Sequence, residues 1–427
     1  MNSQKSLLNC ISLTRTVLST ALLSLLFVAS AQADATDEVT KSIEDALKFG
    51  QADAKYGKID FELRFRYDNT DSDHPTLKTA NAATMRMQIG YLTPEFHGLQ
   101  GYAEYGGNQD IVANNYNSSR NGKTQYETIL DPQQNVLNQL WISYKGLPDT
   151  EVKIGRQRFE FDNQRFLSSV DWRQLQQVFD GLLITNTSLP NTTINAGYIL
   201  KRQTFTATVE GMQMPFANIA YNFADIGKLS SYAYLMDFNE NHNASNQTYG
   251  VRFDGSRKIN DDFKAHYLVE YAYQKEHTQN PTHYRADYYH VVGGVTAFGV
   301  TAKAGMEQLG GKGLNRTFDA PIGLVHAFNG WADQFTITPN NGLRDVYGSL
   351  GGEIEGVKLL GMYHEYSDDT GNFDYGREWN FQVTKEFLKH YTLLAKYAYY
   401  DAGNVAASTT LGRYDTQKFW IGAGVSF

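Results

Sequence analysis

The chain has 427 residues, 41% of them hydrophobic, and a formal charge of −8. Its only near-continuous apolar stretch lies at the extreme N-terminus, which excludes a bundle of lipid-spanning helices, each needing about 20 such residues. The acidic balance argues against a nucleic-acid partner, and 13% aromatics with 37 Gly against 9 Pro favour strands and tight turns over disorder.

Lys5 and Arg15 flank the start of an apolar run from Val17 to Val28, and Ala31, Gln32 and Ala33 supply a small-x-small cleavage pattern. Residues 1–33 are therefore expected to be a signal peptide that carries the chain out of the cytoplasm. The single cysteine, Cys10, precedes the apolar run, so it is not the acylated cysteine of a lipoprotein, and the mature chain needs no disulfide. Residues 34–58 are expected to form a periplasmic segment, in which the spacing of Val39, Ile43, Ala46 and Leu47 predicts a short amphipathic helix.

From Lys58 the period changes to two. Ile59, Phe61, Leu63, Phe65 and Tyr67 alternate with Asp60, Glu62, Arg64 and Arg66, and the same pattern recurs at Met85 to Tyr91, Ala265 to Tyr273, Val300 to Met306 and Trp379 to Val383. Segments of about ten residues match a tilted strand that crosses a membrane better than the five or six usual in a sandwich. Short connections (Pro94 to Gly98, Gly146 to Asp149, Ala224 to Gly227, Phe387 to His390) alternate with long ones (Asp68 to Asn81, Gln109 to Gln134, Gly310 to Asn341), as periplasmic turns and outer loops do. The chain ends in alternating Phe419, Ile421, Ala423, Val425 and Phe427, which resembles the terminal strand recognised by the outer-membrane barrel assembly machinery. Residues 59–427 are thus expected to form an all-β, antiparallel transmembrane barrel of the outer membrane. The count of strands is about 18, or 16 if weakly patterned segments such as Ala217 to Phe223 are discounted.

A barrel of that width encloses water, so its inward residues decide what it does. Strand periods place Arg64, Arg66, Arg86, Lys153, Arg252, Lys303 and Lys396 inward, together with Glu62, Glu104, Glu270, Glu307 and Glu378. Either these ions neutralise one another and stiffen a wet wall, or the arginines present planar forks to carboxylates or phosphates. The densest segment holds Arg156, Arg158, Asp162, Arg165, Phe166, Asp171, Trp172, Arg173 and Asp180; it is too long for a turn and is expected to fold into the lumen and narrow it. Tyrosines are assigned by default to the lipid-interface girdle, and Trp141, Trp172 and Trp331 either to that girdle or to sugar stacking.

The runs GRQRFEFDNQRF and VDWRQLQQVFDG, with a second block from Ala327 to Tyr347 that contains Arg344, resemble the signature of the alginate export family of outer-membrane barrels. The resemblance implies an 18-stranded channel with an arginine-rich, partly acid-paired constriction for a uronate polysaccharide. Candidate pore-lining residues are Arg64, Arg66, Arg86, Lys153, Arg156, Arg165, Asp171, Arg173, Arg252, Lys303 and Arg344. The expected function is passive passage of an anionic, alginate-like polysaccharide or its oligomers; the alternative is an uptake porin for small anionic solutes. An enzyme is not expected: the chain has no G-x-S-x-G, its histidines are scattered singly, and no cofactor or metal motif is present. Expected partners are outer-membrane lipid, lipopolysaccharide, the assembly machinery and the acidic substrate, with the protein acting as a monomer.

Overall fold

The computed structural model describes residues 33–51, 53–403 and 413–427; apart from Ala33, the expected leader lies outside the described residues. The chain divides into two compact units, residues 1–56 and 57–427. In the first, helix α1 (Ala33–Leu47) ends where Phe49 adopts a φ of 56° and Gly50 one of 73°. There the Phe49 N–H donates to Ala46 O (2.9 Å) and the Gly50 N–H to Asp45 O (2.8 Å), which satisfies carbonyls that a helix end otherwise leaves free.

The second unit is one antiparallel sheet of 18 strands among the described residues. Its first half comprises β1 (Lys58–Ser72), β2 (Ala80–Leu92), β3 (Leu99–Asn115), β4 (Gln134–Leu147), β5 (Thr150–Gln157), β6 (Val178–Asn186), β7 (Thr192–Gln203), β8 (Val209–Phe223) and β9 (Gly227–Phe238). The second half comprises β10 (Asn246–Lys258), β11 (Phe263–Glu276), β12 (Arg285–Ala297), β13 (Val300–Leu309), β14 (Leu343–Ile354), β15 (Val357–Ser367), β16 (Asp374–Phe387), β17 (Tyr391–Ala402) and β18 (Thr416–Ser426). Each strand pairs with its sequence neighbours, and β1 pairs with β18 in a register that sets Phe65 opposite Ala423 and Tyr67 opposite Ile421. The ring is closed. Hydrocarbon contains no water to satisfy a free strand edge, so closure is the condition for an outward apolar face. The weakly patterned segment Ala217 to Phe223 is the second half of β8 and pairs on both sides, giving 18 strands and not 16.

Alternation sorts the two faces. Along β1, Phe65 and Tyr67 are exposed on the outer surface while Arg66 and Asp68 are buried on the inner one. Strand length varies from 17 residues in β3 to 8 in β5 and 9 in β6. The connection between those two short strands, residues 158–177, turns into the barrel and is called the first lumenal loop. The second, residues 310–342, connects β13 to β14.

Both loops bring apolar side chains inward, and the wall beneath them is aromatic. Phe159, Phe166, Leu167, Phe318, Ile322, Trp331 and Phe335 from the loops cluster with Phe179, Phe216, Tyr232, Tyr288, Tyr366, Tyr400 and Trp420 from the strands. Phe166 meets Tyr288 edge to face at 5.1 Å. This corrects the assignment of tyrosines to the girdle: Tyr232, Tyr288, Tyr366 and Tyr400 face inward as the floor on which the loops rest. Trp172 and Trp331 are likewise lumenal.

Val269 lies near the centre of β11 between Phe253 and Val291 and is 56% exposed on the outer face. Val269→Arg is expected to destabilise the folded barrel in vesicles by about 2–4 kcal/mol, read as a lowered urea midpoint, because a charge then faces lipid.

Candidate pore constriction

The two lumenal loops join each other before they join the wall. The Ser168 N–H donates to Ile322 O (3.1 Å), the Leu324 N–H to Gln164 O (2.9 Å) and the Gln177 side-chain amide to Ile322 O (2.9 Å). Between these bonds the backbones approach so closely that a Cβ on Gly323 would lie 1.9 Å from Arg165 O. Only glycine fits there.

The first hairpin grips the first loop. Arg64 donates to Gln174 Oε1 (2.9 Å), to Asp171 O (3.0 Å) and to Arg173 O; Arg66 donates to Trp172 O and Asp68 (2.8 Å), with its guanidinium 4.8 Å from the Trp172 ring; Arg86 donates to Asp171 (2.9 Å) and Glu62. Consecutive carbonyls of residues 171–173 are thus caught by three parallel forks, a task suited to the fixed donor geometry of guanidinium. Burial alone would raise the Asp171 carboxyl, but Arg86 and Arg64 hold it down, to about 2.

Two further knots tie the loops to the wall. In one, Arg165 donates to Glu307 on β13 (2.7 Å) and to Asn329 of the second loop (2.9 Å), while Asn329 and Tyr288 donate to Glu307 (2.6 and 2.7 Å). The pair is dry, with 3% and 2% side-chain exposure, so removing one partner costs about 3–5 kcal/mol. In the other, Asp333 meets Lys418 (3.0 Å), Arg173 (3.4 Å) and His326 (2.8 Å). His326 stacks on Trp172 at 4.3 Å, and its other nitrogen accepts from Lys396 (2.8 Å), whose ammonium lies 3.8 Å from the Trp331 ring centroid and 4.2 Å from that of Trp172. Burial drives His326 down, to about 3, against the opposing pull of Asp333. A neutral ring that donates from Nδ1 and accepts at Nε2 satisfies both neighbours.

Of the candidate residues, Arg64, Arg66, Arg86, Lys153, Arg252 and Lys303 project from the inner face, and Arg165, Asp171 and Arg173 lie in the first loop. Arg66, Arg86 and Arg165 are almost fully buried and carry loop contacts. Arg66 also reaches the edge of a cavity, which the less buried basic residues border more openly. A cavity of about 320 Å³ is lined by Arg64 with Glu62 and Trp172, and another of about 510 Å³ by Lys153, Arg158, Glu104 and Trp141. Lys153 lies 4.5 Å from the Trp141 ring, and Arg158 donates to Glu104 (2.9 Å).

Two candidates are corrected. Arg156 pairs with Leu140 across β4 and is bonded to Asp180 (2.7 Å); Leu140 and Ile154, of the same parity, are exposed on the outer face, and half-buried Arg156 shares that face. Arg344 shares the parity of exposed Val346, whereas its neighbour Asp345 is the buried, inward partner of His364 (2.9 Å). Its guanidinium abuts Gly371 in the β15–β16 connection. Residues missed by the sequence reading include Lys418, which the parity of β18 would have revealed, and Gly323, for which no local signal exists; Gln174 and Gln176 lie in the run VDWRQLQQVFDG but are given no role by it.

Gly323→Ala is expected to separate the loops at this crossing and to enlarge or destabilise single-channel current, whereas Gly293→Ala, with open space around its Cβ position and no left-handed backbone, should leave conductance unchanged. A pH effect follows from His326 and Asp333, whose protonation the loop knot disfavours, Asp333 lying well below its usual value through His326 and Lys418 despite burial. Undocked loops bind protons that docked loops refuse, so docking weakens as pH falls from about 6.5 towards 3. Tryptophan emission should shift to the red over that range, and a shift confined to pH below 3 would contradict this assignment.

Residues 56–305 match the family model for alginate export. The block from Ala327 to Tyr347 lies beyond the matched residues. No curated protein matches the chain significantly. Among solved structures, OccAB2 of Acinetobacter baumannii is 15% identical over 87% of this chain and 98% of that one, with a TM-score of 0.69. OpdK of Pseudomonas aeruginosa, solved with vanillate, is 12% identical over 87% and 98%, with a TM-score of 0.66. A BenF-like porin of Pseudomonas fluorescens is 15% identical over 87% and 99%, also at 0.66. Identities this low carry the fold alone. The family match, by contrast, spans more than half of the chain and takes in the whole first lumenal loop, and it makes this protein a member of the alginate export family, an outer-membrane channel and not an enzyme.

Proposed function

We propose that the channel passes carboxylate-bearing sugars passively, as alginate-like uronate chains or their oligomers. The observation that carries this reading is the wall from β1 to β5, where Arg64, Lys153 and Arg158 border cavities beside the indoles of Trp172 and Trp141. A uronate offers one carboxylate per residue, and this wall sets a series of cations beside indoles that border the same cavities. Glu62, Glu104 and Glu151 lie along the same cavities and lighten the hold of each cation. Weak, repeated binding is what conduction requires.

The alternative, a porin for small anionic solutes, draws support from the loop packing. With the lumen occupied by the joined loops, the cavities are of about 320 and 510 Å³, the size of one or two rings. We take the protein to act as a monomer. Outer-membrane lipid, lipopolysaccharide and the assembly machinery complete the proposed partners.

The test is reversal potential and current block in planar bilayers with uronate monomers, tetramers and longer chains. The triple variant Arg64→Gln, Lys153→Gln, Arg158→Gln is expected to lose anion preference and to need about a hundredfold more uronate for half-block, since contacts to charged groups are worth over 1 kcal/mol each and three are lost. An unchanged permeability ratio in that variant would sink the reading, and block by monomers but not by longer chains would favour the small-solute alternative.

A further inference from the structure

Across the ring from the β1–β5 wall, the inner faces of β10 to β14 enclose a separate cavity of about 460 Å³, capped by Phe328 of the second lumenal loop. Arg252, His266, His290, Lys303 and Tyr347 contribute to its lining. Its charge is arranged unlike that of the loop knots. Arg252 is held by Asp254 (2.9 Å) and Glu270 (2.8 Å), but Lys303 makes no ion pair among the described residues and stands exposed to the lumen. Of the inner-wall lysines, Lys153 and Lys418 have a carboxylate within 4 Å, and Lys303 has none among the described residues.

Three further features make this a built site. His290 is 5% exposed; its Nε2 lies 2.9 Å from the Tyr347 hydroxyl, while its Nδ1 has no hydrogen-bond partner. If the hydroxyl donates to Nε2, the ring proton sits on Nδ1 as a buried donor without an acceptor among the described residues. Tyr347 is fixed in place: it stacks on His364 at 5.4 Å and covers Gly305, where a Cβ would meet its ring at 2.5 Å. Phe328 is fixed as well, with the Arg165 guanidinium 4.8 Å from its centroid. The cavity therefore combines an ammonium without an ion pair among the described residues and two oriented aromatic rings.

We infer that this cavity is a second lumenal subsite that binds a single carboxylate carried on a six-membered ring, with Lys303 holding the carboxylate and Tyr347 and Phe328 meeting the ring. Its volume suits one such unit. The ring belongs to a sugar acid or to an aromatic acid, which share this chemistry. The subsite rests on the reading that the channel carries acids, yet it uses a different wall and so fails separately.

The experiment titrates sodium glucuronate, sodium benzoate and sodium acetate, with methyl glucoside as the neutral control, against single-channel current of the refolded full chain. Lys303→Gln is expected to raise the half-blocking concentration of a ring acid about tenfold, the loss of one charge-assisted contact, and Lys303→Arg to restore most of it. Acetate, lacking a ring, should block about tenfold less well than the better ring acid, and comparing glucuronate with benzoate identifies the source. Lys303 is exposed, so its replacement leaves the packed interior intact; recovery in Lys303→Arg separates lost charge from lost fold. Half-block unchanged in Lys303→Gln but shifted in Arg64→Gln would overturn the subsite and leave the channel reading standing. Acetate equal to the ring acids would overturn the ring requirement, and absence of block by any acid in the unsubstituted protein would overturn both.

Discussion

A backbone amide in hydrocarbon has no water to turn to, and the hydrogen-bonded seam between β1 and β18 is how this chain meets that demand. Everything inside follows from closing the ring at 18 strands. Eight strands can fill their own interior with side chains, but 18 cannot, so the lumen must be either water or chain. Here part of it is chain: the short β5 and β6 lower the wall, and the loop between them falls inward onto an aromatic floor. The inner face is therefore of two kinds, apolar where the loops rest and ionic where water reaches.

The basic residues divide along that line. Arginine holds the loops: Arg64, Arg66, Arg86 and Arg165 bind carbonyls and carboxylates through several donors at once, and all but Arg64 are nearly removed from solvent. Lysine is used more variably. Lys396 and Lys418 are drawn into the His326–Asp333 knot, whereas Lys153 and Lys303 keep their head groups towards water. A fork suits permanent attachment to a planar acceptor, while a hydrated ammonium on a flexible stem exchanges partners readily. An arginine-rich sequence around a constriction is thus evidence first for a constriction that is held in place, and only second for what passes it.

Much of the barrel was legible because membrane strands repeat a period of two over many residues. Arg64, Arg66 and Arg86 were placed inward by that rule, as was Lys303. The same rule, applied strictly, separates Lys153 from Arg156: an offset of three on one unbroken strand puts them on opposite faces, and reading Arg156 as part of a loop concealed this. Arg344 was misplaced because the period of β14 cannot be anchored after a long irregular segment, and its partner strands give the parity only in the fold. The aromatic floor was hidden for another reason. A tyrosine such as Tyr288 carries the same local pattern whether it meets lipid headgroups or the underside of a loop; the difference lies in Phe166 and Phe318, distant in sequence. Likewise nothing near Gly323 announces the Arg165 carbonyl against it.

The way the loops are held also bears on how the channel works. Parting them requires loss of the Ser168–Ile322 and Leu324–Gln164 bonds, the Arg165–Glu307 pair and the grip of the first hairpin on residues 171–173, all at once. Even at a net value of about 1 kcal/mol per contact, several acting together leave parted loops rare, since each 1.4 kcal/mol lowers a population about tenfold. A constriction so seldom open selects by its resting walls and not by moving aside. What a solute meets is then set by the groups that border the cavities beside the loops: Lys153 and Arg158 on one side, Lys303 on the other. None of these cations is built into the knots that fix the bore, so a solute can exchange one for the next without loosening them.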